Sequence, residues 1–452
     1  MADPRTAELP NEAKHLLNPA ATILETCGDA SVVRYRALRG VVWNILGSVV
    51  GQGGTFLSSV VLARVVGKQP FGRFALIQST AIALTSLASL GLGVTATKYV
   101  SEYRDRQPDK AGRILGLSSV VALATSLCSA FGLMIFASAL VPDQTLVPGL
   151  RLSGICVFFI TMNGYQMGAL AGLEAFQRVA KINLLYGPAI VLFTWVLASL
   201  IGVPGGVLAQ GLGAFVLWIL YQVALNSECR AAKIRTTYRG IWQERAALIR
   251  FSIPATLSAI SGSSAIWWCN LSLTRNSGYS ELALFSAANN LRLMVMFLPA
   301  LIARVTAPIL NNLLVNGDSQ AYRRTFWEMI AVCAGVALLL AVVLAVAHQQ
   351  ILRLFGQEFV GSTALIVVLL SSVVVEVIAS SLYQAIFSSG SLWRQAGINA
   401  LWTGVLVALA LSLIPRYGAT GLAASYLAAW CGSTALYAYV ALHSGRQPLE
   451  ET

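Results

Sequence analysis

Leu62-Ala63-Arg64-Val65-Val66-Gly67, followed by Phe71 and Phe74, returns without a gap 211 positions later as Leu273-Thr274-Arg275-Asn276-Ser277-Gly278, Leu282 and Phe285. Further echoes follow in the same order. Tyr165-Gln166 with Gly172 matches Tyr383-Gln384 with Gly390 at an offset of 218, Ile182-Asn183 matches Ile398-Asn399 at 216, and Gly206 with Ala209 matches Gly421 with Ala424 at 215. Each match is weak alone, but their shared order and nearly constant offset point to a duplicated body.

The composition around these echoes says what is duplicated. Of 452 residues, 56% are hydrophobic and 11% charged, and the mean hydropathy is +0.70. A soluble chain carries roughly 25% charged residues, so a soluble enzyme is excluded. Disorder needs low hydrophobicity and high charge, and outer-membrane barrels alternate apolar with polar residues; neither pattern is present. A bilayer core of about 30 Å needs roughly 20 helical residues. Twelve apolar runs meet that need: 41–66, 74–97, 114–141, 152–173, 182–202, 205–227, 251–274, 282–310, 325–347, 362–387, 398–414 and 420–442. The expected fold is all-α and polytopic, with twelve transmembrane helices. Six is even, so two six-helix halves related by the echoes share one orientation and form a parallel repeat. The expected divisions are an N-terminal segment 1–39, a first lobe 40–227, a linker 228–250, a second lobe 251–442 and a tail 443–452.

The net charge of +12 would suggest nucleic acid in a soluble protein, whereas in a membrane protein it reflects topology. With both termini in the cytoplasm, 22 of the 31 basic residues fall inside, 6 outside and 3 (Arg64, Arg292 and Arg304) within spans, a clear positive-inside signal. No nucleic-acid partner is implied. The N-terminal segment lacks the basic-then-apolar start of a cleaved signal peptide. The seven cysteines show no CxxC spacing, so no disulfide framework, metal site or cofactor is implied. The outer loops are short and poor in acids, and His15, His348 and His443 avoid span centres, which leaves little support for an enzyme.

At these residues the chain resembles a known family. Leu62 to Phe74 with Lys68-Gln69-Pro70 inside it, Leu90-Gly91-Leu92-Gly93 closing the second span, and Ala169-Leu170-Ala171-Gly172-Leu173-Glu174-Ala175-Phe176 at the end of the fourth look like the polysaccharide, or Wzx-type, flippases of the MOP exporter superfamily. Phe297-Leu298-Pro299-Ala300 with Pro308, and Tyr417-Gly418-Ala419-Thr420-Gly421-Leu422-Ala423-Ala424, are similar to the family's eighth span and the start of its last. The resemblance implies two lobes around a central cavity, rocking to move a polyprenyl-diphosphate-linked glycan across a bacterial inner membrane. A polysaccharide polymerase and a chain-length regulator are its implied partners. A cation-coupled multidrug exporter of the same superfamily is the alternative, disfavoured because the first six spans hold no Asp or Glu at mid-membrane depth.

Charges buried at that depth cost about 2.5–3.5 kcal/mol each and mark sites of use or pairing. Arg292 and Glu376 qualify, about 15 and 21 Å from the outer ends of the eighth and tenth spans at 1.5 Å per residue. Arg292 is the candidate ligand for a diphosphate, since guanidinium presents a fork of donors and stays charged when desolvated. Glu376 is its candidate counter-charge or a proton-coupling site, and a permanent structural pair is the alternative. Arg64 and Arg275, equivalent in the repeat, are candidates for the outer mouth. In the first span Asn44, Gly47/Ser48, Gly51/Gln52, Thr55 and Ser58/Ser59 recur on one helical face, fit either for close helix packing or for a wet, sugar-binding wall. Gln78, Gln166, Gln210, Asn270, Asn289, Asn290 and Gln384 are further candidates for that lining, and Trp267 and Trp268 for stacking on sugars.

Overall fold

In hydrocarbon a backbone N–H or C=O finds no water, so apolar runs of this length close their hydrogen bonds within helices. The computed structural model describes residues 43, 45–141, 143–315, 318–361, 363–388 and 392–444. Its helices in the first half of the chain are α1 (Ile45–Val66), α2 (Lys68–Ser89), α3 (Leu92–Tyr103), α4 (Pro108–Leu140), α5 (Val147–Gly172), α6 (Phe176–Ile201) and α7 (Val203–Ala231). Those in the second half are α8 (Arg245–Ser277), α9 (Tyr279–Val315), α10 (Ser319–Phe355), α11 (Thr363–Ser388) and α12 (Leu392–Ser444). Among the described residues there is no strand.

Ten helical stretches among the described residues are long and apolar enough to cross a membrane, against twelve expected. Two features account for the difference. The stretch Gly397–Tyr439 has 43 residues, about 65 Å of helix, and breaks at Gly418 (φ 56°, ψ −131°), between the expected spans 398–414 and 420–442. α8, with 33 residues, contains the expected span 251–274, but its many Ser, Thr and Asn residues make it less apolar. One motif behaves differently from expectation. Leu90-Gly91-Leu92-Gly93 interrupts the second span rather than closing it: Leu90 (φ 43°) and Gly91 (φ 63°) turn left-handed, and the helix resumes as α3 to Tyr103.

The duplication is visible in the backbone. Gly67 (φ 83°, ψ 173°) and Gly278 (φ 86°, ψ 172°) precede α2 and α9 in one conformation, in a region essentially restricted to glycine. Gly202 (φ 64°, ψ −134°) and Gly418 form a second pair. The Tyr221 and Tyr437 hydroxyls donate to Asn183 Oδ1 and Asn399 Oδ1, each at 3.2 Å. Gly205 and Gly421 pack against the carbonyls of Leu197 and Leu413. These pairs hold the offset at 216 across this stretch, so Gly421 answers Gly205, one residue from the match read in the sequence.

α1 lays Gly47, Gly51 and Gly54 against Ala180, Asn183 and Gly187 of α6, so closely that a side chain on Gly47 or Gly54 would overlap backbone. The first-half helices pack mainly around α5, and α12 packs on α8 and α11 in the second half; the two groups meet where α2 lies against α8 and α9.

The two ends of the molecule differ. At the basic end Arg104 pairs with Glu174 (2.8 Å), Arg113 with Glu244 (3.0 Å), and Arg178 with Glu228. The segment between α7 and α8, residues 232–244, also lies here. It is laid across α4: Thr237 N–H donates to Gly112 O (3.3 Å), and the Arg235 and Thr237 carbonyls occupy the space that side chains on Gly112 and Gly116 would need. At the far end the groups touch each other. The Arg64 guanidinium donates to the carbonyls of Leu354 (2.6 Å) and Arg353 (3.1 Å) at the C-terminus of α10. Phe355 stands edge-on to Phe56 and Phe71. The Tyr279 hydroxyl donates to Asp143 (3.0 Å) while Arg73 lies over its ring. Hydrogen bonds from Thr145, joined by Tyr279 and the Arg73 charge, hold the Asp143 carboxyl below its ordinary range.

Candidate functional site

Two adjoining cavities open inside the bundle. The larger, about 410 Å³, lies within the first-half helices; its wall includes Thr55, Ser58, Gln78, Asn163, Tyr186 and Gln210. The smaller, about 270 Å³, lies between the groups, where Ser48, Gln52 and Asn183 face Phe297, Ala300 and Leu301 of α9. Thr55, Tyr186 and Leu217 belong to both walls. Phe297 is about 27 Å along α9 from its far-end start, so this cleft lies towards the basic end. Neither wall contains an Asp, Glu, Lys, Arg or His among the described residues. α1 serves two purposes at once: its glycines pack on α6, and its neighbouring Ser48, Gln52, Thr55 and Ser58 face the cavities.

The charged site lies in the second-half helices. Arg292 of α9 pairs with Glu376 of α11, each side chain about a tenth exposed. Arg292 also donates to Asn289 Oδ1 (3.2 Å) and lies over the Tyr426 ring, 5.6 Å from its centroid, a cation–π contact. Its Nε is buried without a hydrogen-bond partner. Tyr426 leads to Trp402 and Trp430, whose rings are 4.9 Å apart. Both indole N–H groups are also buried and unbonded.

Several expected residues line the cavities, Ser48 and Thr55 the cleft and Thr55, Ser58, Gln78 and Gln210 the larger cavity. Gln52 lines the inter-group cleft, and Arg292, Asn289 and Glu376 form one hydrogen-bonded cluster. Gln166, Arg64 and Arg275 lie elsewhere. Gln166 is fully buried and donates to Gln222 Oε1 (2.8 Å) instead of facing the cavity. Arg64 caps α10, and Arg275 is exposed at the end of α8. Asn44 lies outside the described residues. Trp267 donates to Thr80 Oγ1 (2.9 Å), a hydrogen bond that joins the two groups. Asn163 had no distinguishing signal in the sequence; it lines the larger cavity, donating to Ala214 O (2.9 Å) while its Oδ1 is buried without a partner. Among the described residues no three His, Cys, Asp or Glu side chains gather to hold a metal.

This architecture has close counterparts. An inward-facing multidrug resistance MATE family transporter of the MOP superfamily superposes with a TM-score of 0.73 at 13% identity, covering 89% of this chain and 98% of that one. Its outward-facing form scores 0.72 at 14% identity, covering 90% and 96%. A MOP superfamily transporter from Pyrococcus furiosus scores 0.69 at 16% identity, covering 90% and 95%. At such identities these matches establish the fold alone. In sequence, the chain is 23% identical over 421 residues to the EPS I polysaccharide export inner membrane protein EpsE of Ralstonia nicotianae, covering 88% of this chain and 92% of that one. EpsE of Ralstonia solanacearum is 22% identical over 410 residues, covering the same shares. The family model described as "Polysaccharide biosynthesis protein" matches residues 37–314. With more than half the chain matched, on a MOP-type fold, this protein belongs to the polysaccharide biosynthesis protein family of Wzx-type flippases.

Proposed function

We propose that this chain is an alternating-access flippase that carries a polyprenyl-diphosphate-linked oligosaccharide from the cytoplasmic to the outer leaflet of a bacterial inner membrane. The observation that carries this reading is Arg292, a guanidinium inside the bundle with Nε unbonded and its two terminal nitrogens donating to Asn289 and Glu376. Burying an ion pair is a poor source of stability, and a diphosphate supplies the paired acceptors for which guanidinium is shaped. Arriving phosphate oxygens replace Glu376, which is the counter-charge of the empty carrier or takes up the coupling proton. Membership of the family and the EpsE relatives support the substrate class.

The two lobes are residues 40–227 and 251–442, and the basic end faces the cytoplasm by the positive-inside rule. The far-end contacts of Arg64, Phe355 and Tyr279 close the outer side, while the cleft beside Phe297 lies towards the cytoplasm. This is the state that accepts substrate. A cation-coupled drug exporter is the weaker reading, because no carboxylate lines either cavity among the described residues.

The test is flipping of a fluorescent polyprenyl-diphosphate-linked glycan in proteoliposomes. Arg292→Ala is expected to abolish it with insertion intact, and Arg292→Lys to restore it only in part. Normal flipping by the alanine variant at equal protein level would overturn the assignment.

A further inference from the structure

The larger cavity is set apart from the Arg292 site both in position and in chemistry. Its volume of about 410 Å³ lies within the roughly 300–1,000 Å³ of small-molecule sites. Its polar wall is uncharged among the described residues and presents several open acceptors. Thr55 Oγ1 donates its proton to Gly51 O (3.0 Å) and Ser58 Oγ to Thr55 O (2.9 Å), so the lone pairs of both hydroxyls remain unspent. Asn163 is more than nine-tenths buried; one of its amide N–H groups donates to Ala214 O, and Oδ1 is a buried acceptor without a donor. Such an orphan costs free energy unless a ligand or water supplies the proton. Gln78 and Gln210 add amides, and Phe74 and Tyr186 add aromatic surface.

A wall of neutral amides and hydroxyls, with no cation among the described residues, gives phosphate and carboxylate no counter-charge. It suits a ligand with many O–H or N–H donors and apolar ring faces. We propose that this cavity is a subsite for uncharged sugar residues of the transported glycan, with Asn163 Oδ1 accepting from a sugar hydroxyl or N-acetyl N–H. This rests on the flippase reading and divides the substrate in two: the diphosphate belongs to Arg292, and the neutral sugars belong to the first lobe. Glycans with an acidic residue at the position that enters this cavity are discriminated against.

Two substitutions isolate the cavity. Asn163→Leu keeps the side chain's size and removes the acceptor. Gly164→Leu fills the space: Gly164 lines the cavity, and a Cβ built on it meets nothing within 4 Å, while leucine is the better helix former. The full-length protein in nanodiscs is titrated with three probes: bare polyprenyl diphosphate, the same lipid carrying a neutral N-acetylhexosamine–hexose disaccharide, and the same disaccharide with a uronic acid replacing the hexose. The neutral disaccharide is expected to tighten binding about tenfold over the bare lipid, the gain of one or two good hydrogen bonds; the uronic acid probe gains less. Either substitution is expected to erase the gain while leaving bare-lipid affinity unchanged, whereas Arg292→Ala weakens all three. If bare lipid binds and sugar adds nothing, or if both cavity variants keep the full gain, the subsite is overturned and the flippase reading stands. If no probe binds, the flippase reading falls and the subsite falls with it.

Discussion

The two halves of the molecule share a backbone and differ in what fills it. Gly202 and Gly418 make the same turn, and Tyr221 and Tyr437 reach the same asparagine in their own halves. Inside, the correspondence ends. At the offsets of their helices, Arg292 answers Ala81, Glu376 answers Phe158, Tyr426 answers Gln210 and Trp430 answers Ala214. Ala81, Gln210 and Ala214 line the larger cavity; their counterparts fill the second half with rings and an ion pair. Duplication thus conserved the turns that set helix directions, and divergence in a few interior side chains left one half hollow and the other charged.

The comparison is most sharply broken at the ion pair. Glu376→Ala leaves Arg292 buried without its partner and is expected to cost about 3–5 kcal/mol, read as a fall in the detergent melting temperature. The double change Arg292→Met with Glu376→Leu recovers most of that stability without recovering flipping. A single Glu376→Ala as stable as the parent would show that the pair is not buried as described.

The paired turns give a graded contrast. Alanine at Gly202 meets nothing within 4 Å, whereas at Gly418 its Cβ would stand 2.9 Å from Glu281 Oε2. Gly202→Ala therefore costs backbone strain alone, about 1–3 kcal/mol. Gly418→Ala costs more, because it also disturbs the carboxylate that accepts from Ala419 N–H (3.0 Å). Equal melting temperatures for the two variants would contradict this difference. The tyrosines make the opposite prediction: Tyr221→Phe and Tyr437→Phe each lose one hydrogen bond and should be equally destabilised, by about 1 kcal/mol. A large gap between them would mean that the symmetry is only geometric.

The smallest effect is at the far end. The folded-state pKa of Asp143 lies below its ordinary value of 3.8, chiefly through Thr145. Its contribution is therefore fully present above the unfolded-state value and is lost as pH falls through the lowered folded one. Asp143→Asn should lower the melting temperature slightly and by the same amount at pH 7 and pH 5. A difference between those two pH values would refute the assignment.

The sequence revealed the turns more readily than the cavity, for a physical reason. Gly67 and Gly278 sit inside a recognisable repeated string because their backbone admits no other residue. Arg292 and Glu376 stand out because charge is scarce in apolar helices. A cavity is defined by what is small or missing, and Ala81, Gly164 and Ala214 look like any other packing residues. Asn163 and Gln166 are three positions apart on α5, yet only Asn163 faces the cavity, while Gln166 points to Gln222 on α7. The repeat could not predict the break at Leu90-Gly91, since the corresponding stretch of α9 runs on without one.

The segment laid across α4 constrains how the proposed rocking can occur. Its backbone is fixed at Gly112 and Gly116, and Glu244 is clamped by Arg113, one residue before α8 begins. In the proposed rocking, the start of α8 acts as the fulcrum and its 33 residues, about 50 Å of helix, as a lever arm: a tilt of a few degrees at the basic end is magnified into several ångströms at Gly278.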